Sequence, residues 1–148
     1  MSLAVQVCSE EALMKTVLIT GAASGIGLAT AQRLAGKMQV VIADRNLGGA
    51  KKAADAICAA GGKAIAIEVD VSSKSSVLAM AEQATREAGE IHALFCNAGI
   101  SPKMPFQDWS AQDWDQVIHT HIKGVFFCTG HPAANVRPSC RSDRRHGL

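Results

Sequence analysis

The sequence predicts an α/β fold in which a parallel sheet is covered by helices on both of its faces. Short apolar segments alternate along the chain with segments of helical length, which is typical of βαβ units. These apolar segments lack regular polar alternation, as expected for strands that are buried on both faces. A length of 148 residues, with 48% hydrophobic and 19% charged residues, suits one domain with its own core.

Four strands are predicted from short apolar runs that end in glycine, polar or turn residues. Their segments are 15–20, 39–44, 63–70 and 91–99, the last including the turn that follows it. A loop with two prolines is predicted at 101–110. The sheet therefore precedes the loop, and a further helix follows it.

Four helices are predicted between and after these strands. The first, 25–36, has helical spacing at Ile26, Ala29, Thr30 and Leu34. The second, 47–62, is rich in alanine and stops at a glycine pair. In the third, 72–90, Ser72 or Ser73 supplies the N-cap and Gly89 ends the helix. The fourth, 111–130, has apolar residues spaced for burial, namely Trp114, Val117, Ile118, Ile122, Val125 and Phe126.

The chain divides into a domain over 14–130 and two appended segments. Residues 1–13 are either a short helical extension or sequence upstream of a start at Met14. Periodicity is lost after Gly130, and 131–148 form an irregular basic tail with four arginines against one acid. Such a loss resembles a shifted reading frame, so we hypothesise a truncated or frameshifted chain. The alternative is a basic segment that binds RNA or DNA. Arginines without aromatic residues are only weak support for that function.

Composition argues against several classes of protein. The net charge of +2 is concentrated in the tail, so the near-neutral body does not indicate a nucleic-acid partner. No apolar run is long enough for a membrane span, and the start lacks the pattern of a signal peptide. Five scattered cysteines without a C-x-x-C pair fit neither a disulfide framework nor a metal site. We expect reduced thiols and a cytoplasmic location.

A glycine-rich segment, T-G-A-A-S-G-I-G, lies between the first strand and the first helix. Gly21 permits a sharp turn, Gly25 lets the backbone approach a pyrophosphate, and Gly27 allows close packing of helix and strand. Backbone N–H groups around Ser24 to Ile26 would meet phosphates at the positive end of the helix. This context predicts a Rossmann-type dinucleotide site rather than a plain loop.

The end of the second strand carries an acid at the position that such a site needs. Asp44 follows the glycine turn at the spacing where a carboxylate accepts hydrogen bonds from the adenosine ribose hydroxyls. The same carboxylate would repel a 2′-phosphate, which favours NAD over NADP. Arg45 comes next and could contact a 2′-phosphate instead, so NADP stays open as the less favoured cofactor.

The glycine segment resembles the short-chain dehydrogenase/reductase family when it is taken together with A-D-R-N at 43–46, V-D-V at 69–71 and N-A-G at 97–99. The resemblance covers about residues 15–130, and K-G at 123–124 matches the next helix of the family. It implies that Asp70 and Val71 border the adenine. It also implies that Asn97, Ala98 and Gly99 stabilise the central sheet beside the cofactor.

The resemblance further implies hydride transfer between a nicotinamide and an alcohol or carbonyl, with a tyrosine in a Y-x-x-x-K motif as acid and base. The chain contains no tyrosine, so it lacks the proton donor of the family reaction. The relay asparagine of the family is replaced by His121, which we interpret as a plain helix residue; His119 is expected to be exposed. Cys96 is interpreted as a small buried strand residue.

Taken together, these patterns predict an incomplete Rossmann-type, doubly wound parallel sheet with strand order 3-2-1-4. Two functions stay open: the NAD-binding portion of an oxidoreductase that acts on an alcohol or carbonyl, and a non-catalytic fragment that binds NAD or associates with itself. The exposed edge of the last strand and the helix at 111–130 are the expected surfaces for homo-oligomer formation.

Overall fold

A computed structural model describes residues 14–130 of the chain. Its sheet has four parallel strands in the order β3-β2-β1-β4, which confirms the predicted order. The strands are β1 Thr16–Thr20, β2 Gln39–Asp44, β3 Lys63–Glu68 and β4 Ile91–Cys96. The helices that connect and follow them are α1 Gly25–Leu34, α2 Leu47–Ala59, α3 Lys74–Ala88, α4 Ala111–Ile118 and α5 Gly124–Thr129. The predicted segments 1–13 and 131–148 lie outside the described residues.

The two central strands, β1 and β2, are buried on both of their faces. Neighbouring residues along a strand point to opposite sides of the sheet. Val17 and Ile19 pack with residues of α1 and α2, whereas Leu18 packs on the other face with residues of α3 and α5. β2 shows the same division, with Val40 and Ile42 on the first face and Val41 on the second. The uninterrupted apolar runs of the sequence follow from this two-sided burial.

The helix ends of α2 and α3 follow the capping residues in the sequence. The side chain of Asn46 accepts a hydrogen bond from the N–H of Gly49 at the start of α2. Ser73, one of the two predicted caps, accepts from the N–H of Ser76 at the start of α3. Gly89 ends α3 with a φ of +75°, a conformation that side chains with a Cβ rarely adopt.

The predicted helix at 111–130 is not a single regular helix. A π-helical turn at His119–Lys123 separates α4 from α5, with the N–H of Gly124 bonded to the carbonyl of His119. The burial prediction for this helix was also largely wrong. The residues of α5 that are buried are Gly124 and Cys128, whereas the exposed large side chains of the run include Trp114, Ile122, Val125 and Phe126.

Two further expectations require correction. The third strand ends at Glu68 rather than at residue 70, because Asp70 and its neighbours form a turn before α3. In α1 the buried positions are Gly27 and Ala31, while Ile26 is 74% exposed. The fully buried positions of α1 are therefore small residues, while Leu28 and Leu34 pack against the same core and are partly buried.

Two kinds of feature are absent from the part of the chain that the structure describes. None of the helices within residues 14–130 has the length and apolar character needed to cross a membrane. No group of three or more histidine, cysteine or acidic side chains in the same range is arranged to hold a metal ion.

Candidate functional site

A crevice of about 270 Å³ opens at the carboxyl edge of the parallel sheet. Ligands of open α/β sheets bind at this edge, where the strand order reverses between β1 and β4. The predicted site residues that line the crevice are Gly21, Ser24, Asp44, Arg45, Asp70, Val71, Asn97, Ala98 and Gly99. Three predicted residues, Gly25, Ile26 and Gly27, are not part of its lining.

The turn between β1 and α1 depends on glycine at two positions for different reasons. Gly21 has a φ of +66°, and a Cβ there would lie 2.7 Å from the Cα of Ala98. A Cβ on Gly27 would overlap the carbonyl oxygen of Gly21 and lie 2.6 Å from the Nδ2 of Asn97. The turn is therefore pressed directly against the segment that follows β4.

The N-terminus of α1 is open toward solvent at the rim of the crevice. Gly25 has a φ of +57°, and a Cβ built on it would meet nothing within 4 Å. The side chain of Ser24 makes no capping hydrogen bond, so it leaves the N–H groups of the first turn available. A free helix N-terminus beside an unobstructed glycine fits a phosphate group.

The carboxylate of Asp44 connects the glycine turn to the end of β2. Its Oδ2 accepts a hydrogen bond of 3.0 Å from the N–H of Ala23, and its Oδ1 accepts one of 2.9 Å from the N–H of Asn46. Each carboxylate oxygen has a second lone pair, so Asp44 retains acceptor capacity toward a ligand in the crevice. The acid is thus fixed in orientation before any ligand binds.

Asp70 stabilises the turn after β3 on the opposite wall of the crevice. Its Oδ1 accepts hydrogen bonds from the N–H of Ser72 at 2.9 Å and from the hydroxyl of Ser72 at 2.6 Å. These hydrogen bonds, with a smaller contribution from the charge of Arg45, lower the pKa of Asp70 despite partial burial. Asp70 is therefore both a turn acid and a crevice residue.

Asn97 and Thr20 join the ends of the two central strands. The Nδ2 of Asn97 donates to the carbonyl oxygens of Thr20 and Gly21, at 3.1 and 3.0 Å. The buried hydroxyl oxygen of Thr20 accepts from the N–H groups of Asn97 and Ala98, both at 3.1 Å. The family resemblance implies that Asn97 stabilises the central sheet beside the cofactor. These contacts with Thr20 and Gly21 are of the kind that such a role requires.

His121 is not the plain helix residue that we expected. Its Nε2 lies 3.0 Å from the backbone nitrogen and 2.9 Å from the carbonyl oxygen of Ile100. Its ring covers Gly99, where a Cβ would lie 2.5 Å from the ring carbon Cε1. His119 is partly buried rather than exposed, with its Nε2 2.8 Å from the Nζ of Lys123. Cys96 is likewise only partly buried.

Sequence reasoning missed three further residues of the crevice wall, Val69, Ile100 and Thr120. Val69 belongs to the V-D-V segment, so its position between β3 and Asp70 was a usable signal. Ile100 lies in an irregular loop, and Thr120 lies within the π-helical turn. No sequence signal identified either of them.

The family model for short chain dehydrogenases matches residues 15–138. The chain belongs to the short-chain dehydrogenase family. This match confirms the resemblance seen in the motifs, and the four-stranded sheet agrees with the solved structures of the family.

Curated oxidoreductases are similar to most of this chain. An uncharacterized oxidoreductase of Listeria innocua is 39% identical over 112 residues, which are 75% of this chain and 45% of that protein. A cyclohexanol dehydrogenase of an Acinetobacter strain is 39% identical over 115 residues, 76% of this chain and 46% of the relative. The chain thus spans about half the length of these relatives.

A solved structure of the family gives the same picture. The crystal structure of a short-chain dehydrogenase/reductase from Burkholderia phymatum, in complex with NAD, superposes with a TM-score of 0.75 at 36% identity. The match covers 81% of this chain and 43% of that structure.

Proposed function

We propose that residues 14–130 are the dinucleotide-binding part of a short-chain dehydrogenase that uses NAD and acts on an alcohol or carbonyl. Residues 1–13 and 131–148 are segments appended to this part. The free thiols of Cys58, Cys96 and Cys128 support a cytoplasmic location, where cysteines stay reduced. The likeness to a protein crystallised with NAD and to a cyclohexanol dehydrogenase supports the choice of cofactor and of substrate class.

The observation that carries the proposal is the position of Asp44. Both of its oxygens are held by backbone N–H groups, so the carboxylate faces the crevice beside Arg45 with its orientation fixed. A fixed carboxylate suits a ribose with two free hydroxyl donors and opposes a 2′-phosphate. This arrangement favours NAD over NADP.

The remaining residues would hold the dinucleotide through backbone N–H groups and through the shape of the crevice. The open N-terminus of α1 suits the pyrophosphate, Asp70 and Val71 suit the adenine, and Asn97 keeps the turn in place. NAD would supply hydride acceptance or donation once bound. The chain has no tyrosine to transfer the accompanying proton, so we expect binding without turnover.

The cofactor preference is tested by calorimetric titration of NAD and NADP into the purified 148-residue chain and its Asp44→Ser variant. We expect the chain to bind NAD more tightly, and we expect Asp44→Ser to weaken NAD and strengthen NADP. The control is Asp55→Ser, which replaces an exposed acid on α2. Unchanged relative affinities in Asp44→Ser, with the fold intact by circular dichroism, would refute the assignment of Asp44.

The absence of turnover is tested separately with NADH and cyclohexanone, followed by absorbance at the reduced nicotinamide band. We expect no oxidation above the level without protein, even when calorimetry shows binding. Measurable turnover would overturn the inactive interpretation of this chain, although it would leave the cofactor assignment in place.

A second candidate function is self-association through the apolar surface of the last helical run. Ile122 is 62% exposed, Val125 42% and Phe126 68%, which is unusual for side chains of this size on one short segment. Sedimentation velocity should show an oligomer that Phe126→Ser weakens, with stability changed by less than about 0.5 kcal/mol because the ring is exposed. Lys51→Ser on α2 is the control, and an unchanged distribution in Phe126→Ser would count against this surface.

A further inference from the structure

The crevice formed by residues 14–130 encloses less space than a whole dinucleotide needs. Its volume of about 270 Å³ lies below the range of about 300–1,000 Å³ that is typical of pockets enclosing most of a drug-sized ligand. A dinucleotide is larger than such a ligand, because it joins two nucleosides through a pyrophosphate. Part of a bound NAD would therefore lie outside this crevice. The order of the recognition groups along the edge of the sheet determines which part is enclosed.

The groups that suit a nucleoside diphosphate follow one another across three neighbouring strands. Asp70 and Val71 come after β3, Asp44 ends β2, and the glycine turn with the open N-terminus of α1 follows β1. Because β3, β2 and β1 are neighbours in that order, these groups lie in the order of base, ribose and pyrophosphate. Neighbouring strands are about 4.8 Å apart, so the three positions span about 10 Å. At the base end α5 packs against the crevice wall, since a Cβ on Gly124 would lie 3.0 Å from the Cγ2 of Val71.

The end of β4, on the other side of the glycine turn, uses its hydrogen-bond donors within the protein. The N–H groups of Asn97 and Ala98 donate to the hydroxyl oxygen of Thr20, and the Nδ2 of Asn97 donates to the carbonyl of Thr20. The N–H of Ile100 lies 3.0 Å from the Nε2 of His121. These donors hold β4, the turn and the helical run together, so they do not offer hydrogen bonds to a carboxamide at this end of the crevice.

We propose that the crevice recognises the adenosine diphosphate part of its ligand and does not distinguish what is attached to the second phosphate. The ligand class is then ADP-containing nucleotides without a 2′-phosphate, and NAD, NADH and ADP-ribose are all members of it. The inference rests on the proposed function, because it uses the same crevice and the same role of Asp44. It adds that the nicotinamide contributes little to the affinity of this chain.

The experiment is a calorimetric titration of the purified 148-residue chain with NAD, NADH, ADP-ribose and nicotinamide mononucleotide. We expect the dissociation constants of the first three to agree within about threefold, and no binding of the mononucleotide in the same concentration range. In Asp44→Ser we expect the affinities for NAD and ADP-ribose to fall by the same factor, because both ligands present the same adenosine ribose hydroxyls to the carboxylate. Asp55→Ser, which replaces an exposed acid on α2, is the control and should change neither affinity.

The outcomes separate this inference from the proposed function. If NAD binds more tightly than ADP-ribose by a larger factor, or if the mononucleotide binds by itself, the nicotinamide is recognised and the inference is wrong, while the cofactor assignment stands. An Asp44→Ser variant that weakens NAD but not ADP-ribose would place ADP-ribose elsewhere and would also overturn the inference. A chain that is folded by circular dichroism and binds neither NAD nor ADP-ribose would refute the proposed function, and the inference with it.

Discussion

The glycine turn at Thr20–Gly27 and the helical run from Ala111 to Thr129 are stabilised in different ways. In the turn, backbone and side chains meet at contact distance, and the side chains of Asp44, Asn97 and Thr20 all make hydrogen bonds to backbone groups. In the helical run, large apolar side chains face outward, and Gly124 and Cys128 are the buried residues of α5. An added Cβ should therefore be poorly tolerated at Gly21 and Gly27, whereas the outer face of the run should tolerate many substitutions.

The largest effect is expected from Gly27→Ala, which adds one methyl group to the turn. Its Cβ would overlap the carbonyl oxygen of Gly21 and lie 2.6 Å from the Nδ2 of Asn97, both of which are held by other contacts. We expect a loss of about 3 kcal/mol in the free energy of unfolding, because backbone cannot easily move aside. Urea unfolding followed by circular dichroism measures it.

The matched control for this change is Gly36→Ala, just after α1. A Cβ there would meet nothing within 4 Å, and Gly36 is not among the glycines with positive φ. We expect stability within about 0.5 kcal/mol of the parent chain. Similar losses of stability in Gly27→Ala and Gly36→Ala would contradict the inference that the turn is packed more closely than the residues around it.

A smaller effect is expected at Gly99 and His121, where the segment after β4 contacts the helical run. Gly99→Ala would place a Cβ 2.5 Å from the His121 ring, although the backbone of Gly99 does not need a positive φ. We expect Gly99→Ala to cost about 1 kcal/mol on its own, and His121→Ala a similar amount through the lost bond to Ile100. In the His121→Ala background, Gly99→Ala should cost almost nothing, because the obstructing ring is gone. A double-mutant cycle by urea unfolding tests this, and additive costs would contradict the contact.

The smallest effect concerns stability in acid and arises at the turn between β3 and α3. Hydrogen bonds from Ser72 lower the pKa of Asp70 below its usual value of 3.8 in the folded chain. The stabilisation is therefore present above pH 3.8 and is lost as the pH falls through the lowered folded pKa. We expect a contribution below about 1 kcal/mol, since Asp70 is only partly buried and solvent in the crevice screens its charge.

Ser72→Ala is the variant that tests the cause of this acid dependence. It removes the hydroxyl that donates to Asp70 at 2.6 Å, so the acid-dependent part of the stability should shrink. Thermal melting between pH 2 and pH 6, with Asp55→Asn as control, reports the difference. If Ser72→Ala loses as much thermal stability as the parent chain when the pH falls, groups other than Asp70 and Ser72 cause the pH dependence.

The sequence predicted the sheet and the crevice well, because both depend on local signals. Unbroken apolar runs located the strands, and the glycine spacing together with Asp44 located the ligand edge. Strand order followed from the family resemblance, and the structure has the same order. The sequence offered Ser72 and Ser73 as N-cap candidates for α3. The structure shows that Ser73 is the N-cap, because its side chain accepts a hydrogen bond from the N–H of Ser76.

The helical run could not be predicted in the same way. Its apolar spacing predicted burial of Trp114, Ile122 and Phe126, but spacing does not reveal whether a partner surface exists within the chain. The contact of His121 with Ile100 joins residues twenty-one positions apart through an irregular loop.

The π-helical turn at His119–Lys123 determines which side of α5 faces the sheet. A π turn contains one residue more than the α turn it replaces, and one residue corresponds to about 100° of rotation around the axis. Removing that residue would turn Gly124 away from Val71, where a Cβ already would lie 3.0 Å from the valine Cγ2. A change of length by one residue between Trp114 and Gly124 would therefore rotate α5 by about 100° and move Gly124 and Cys128 off the face that packs on the sheet, rather than lengthen or shorten a loop.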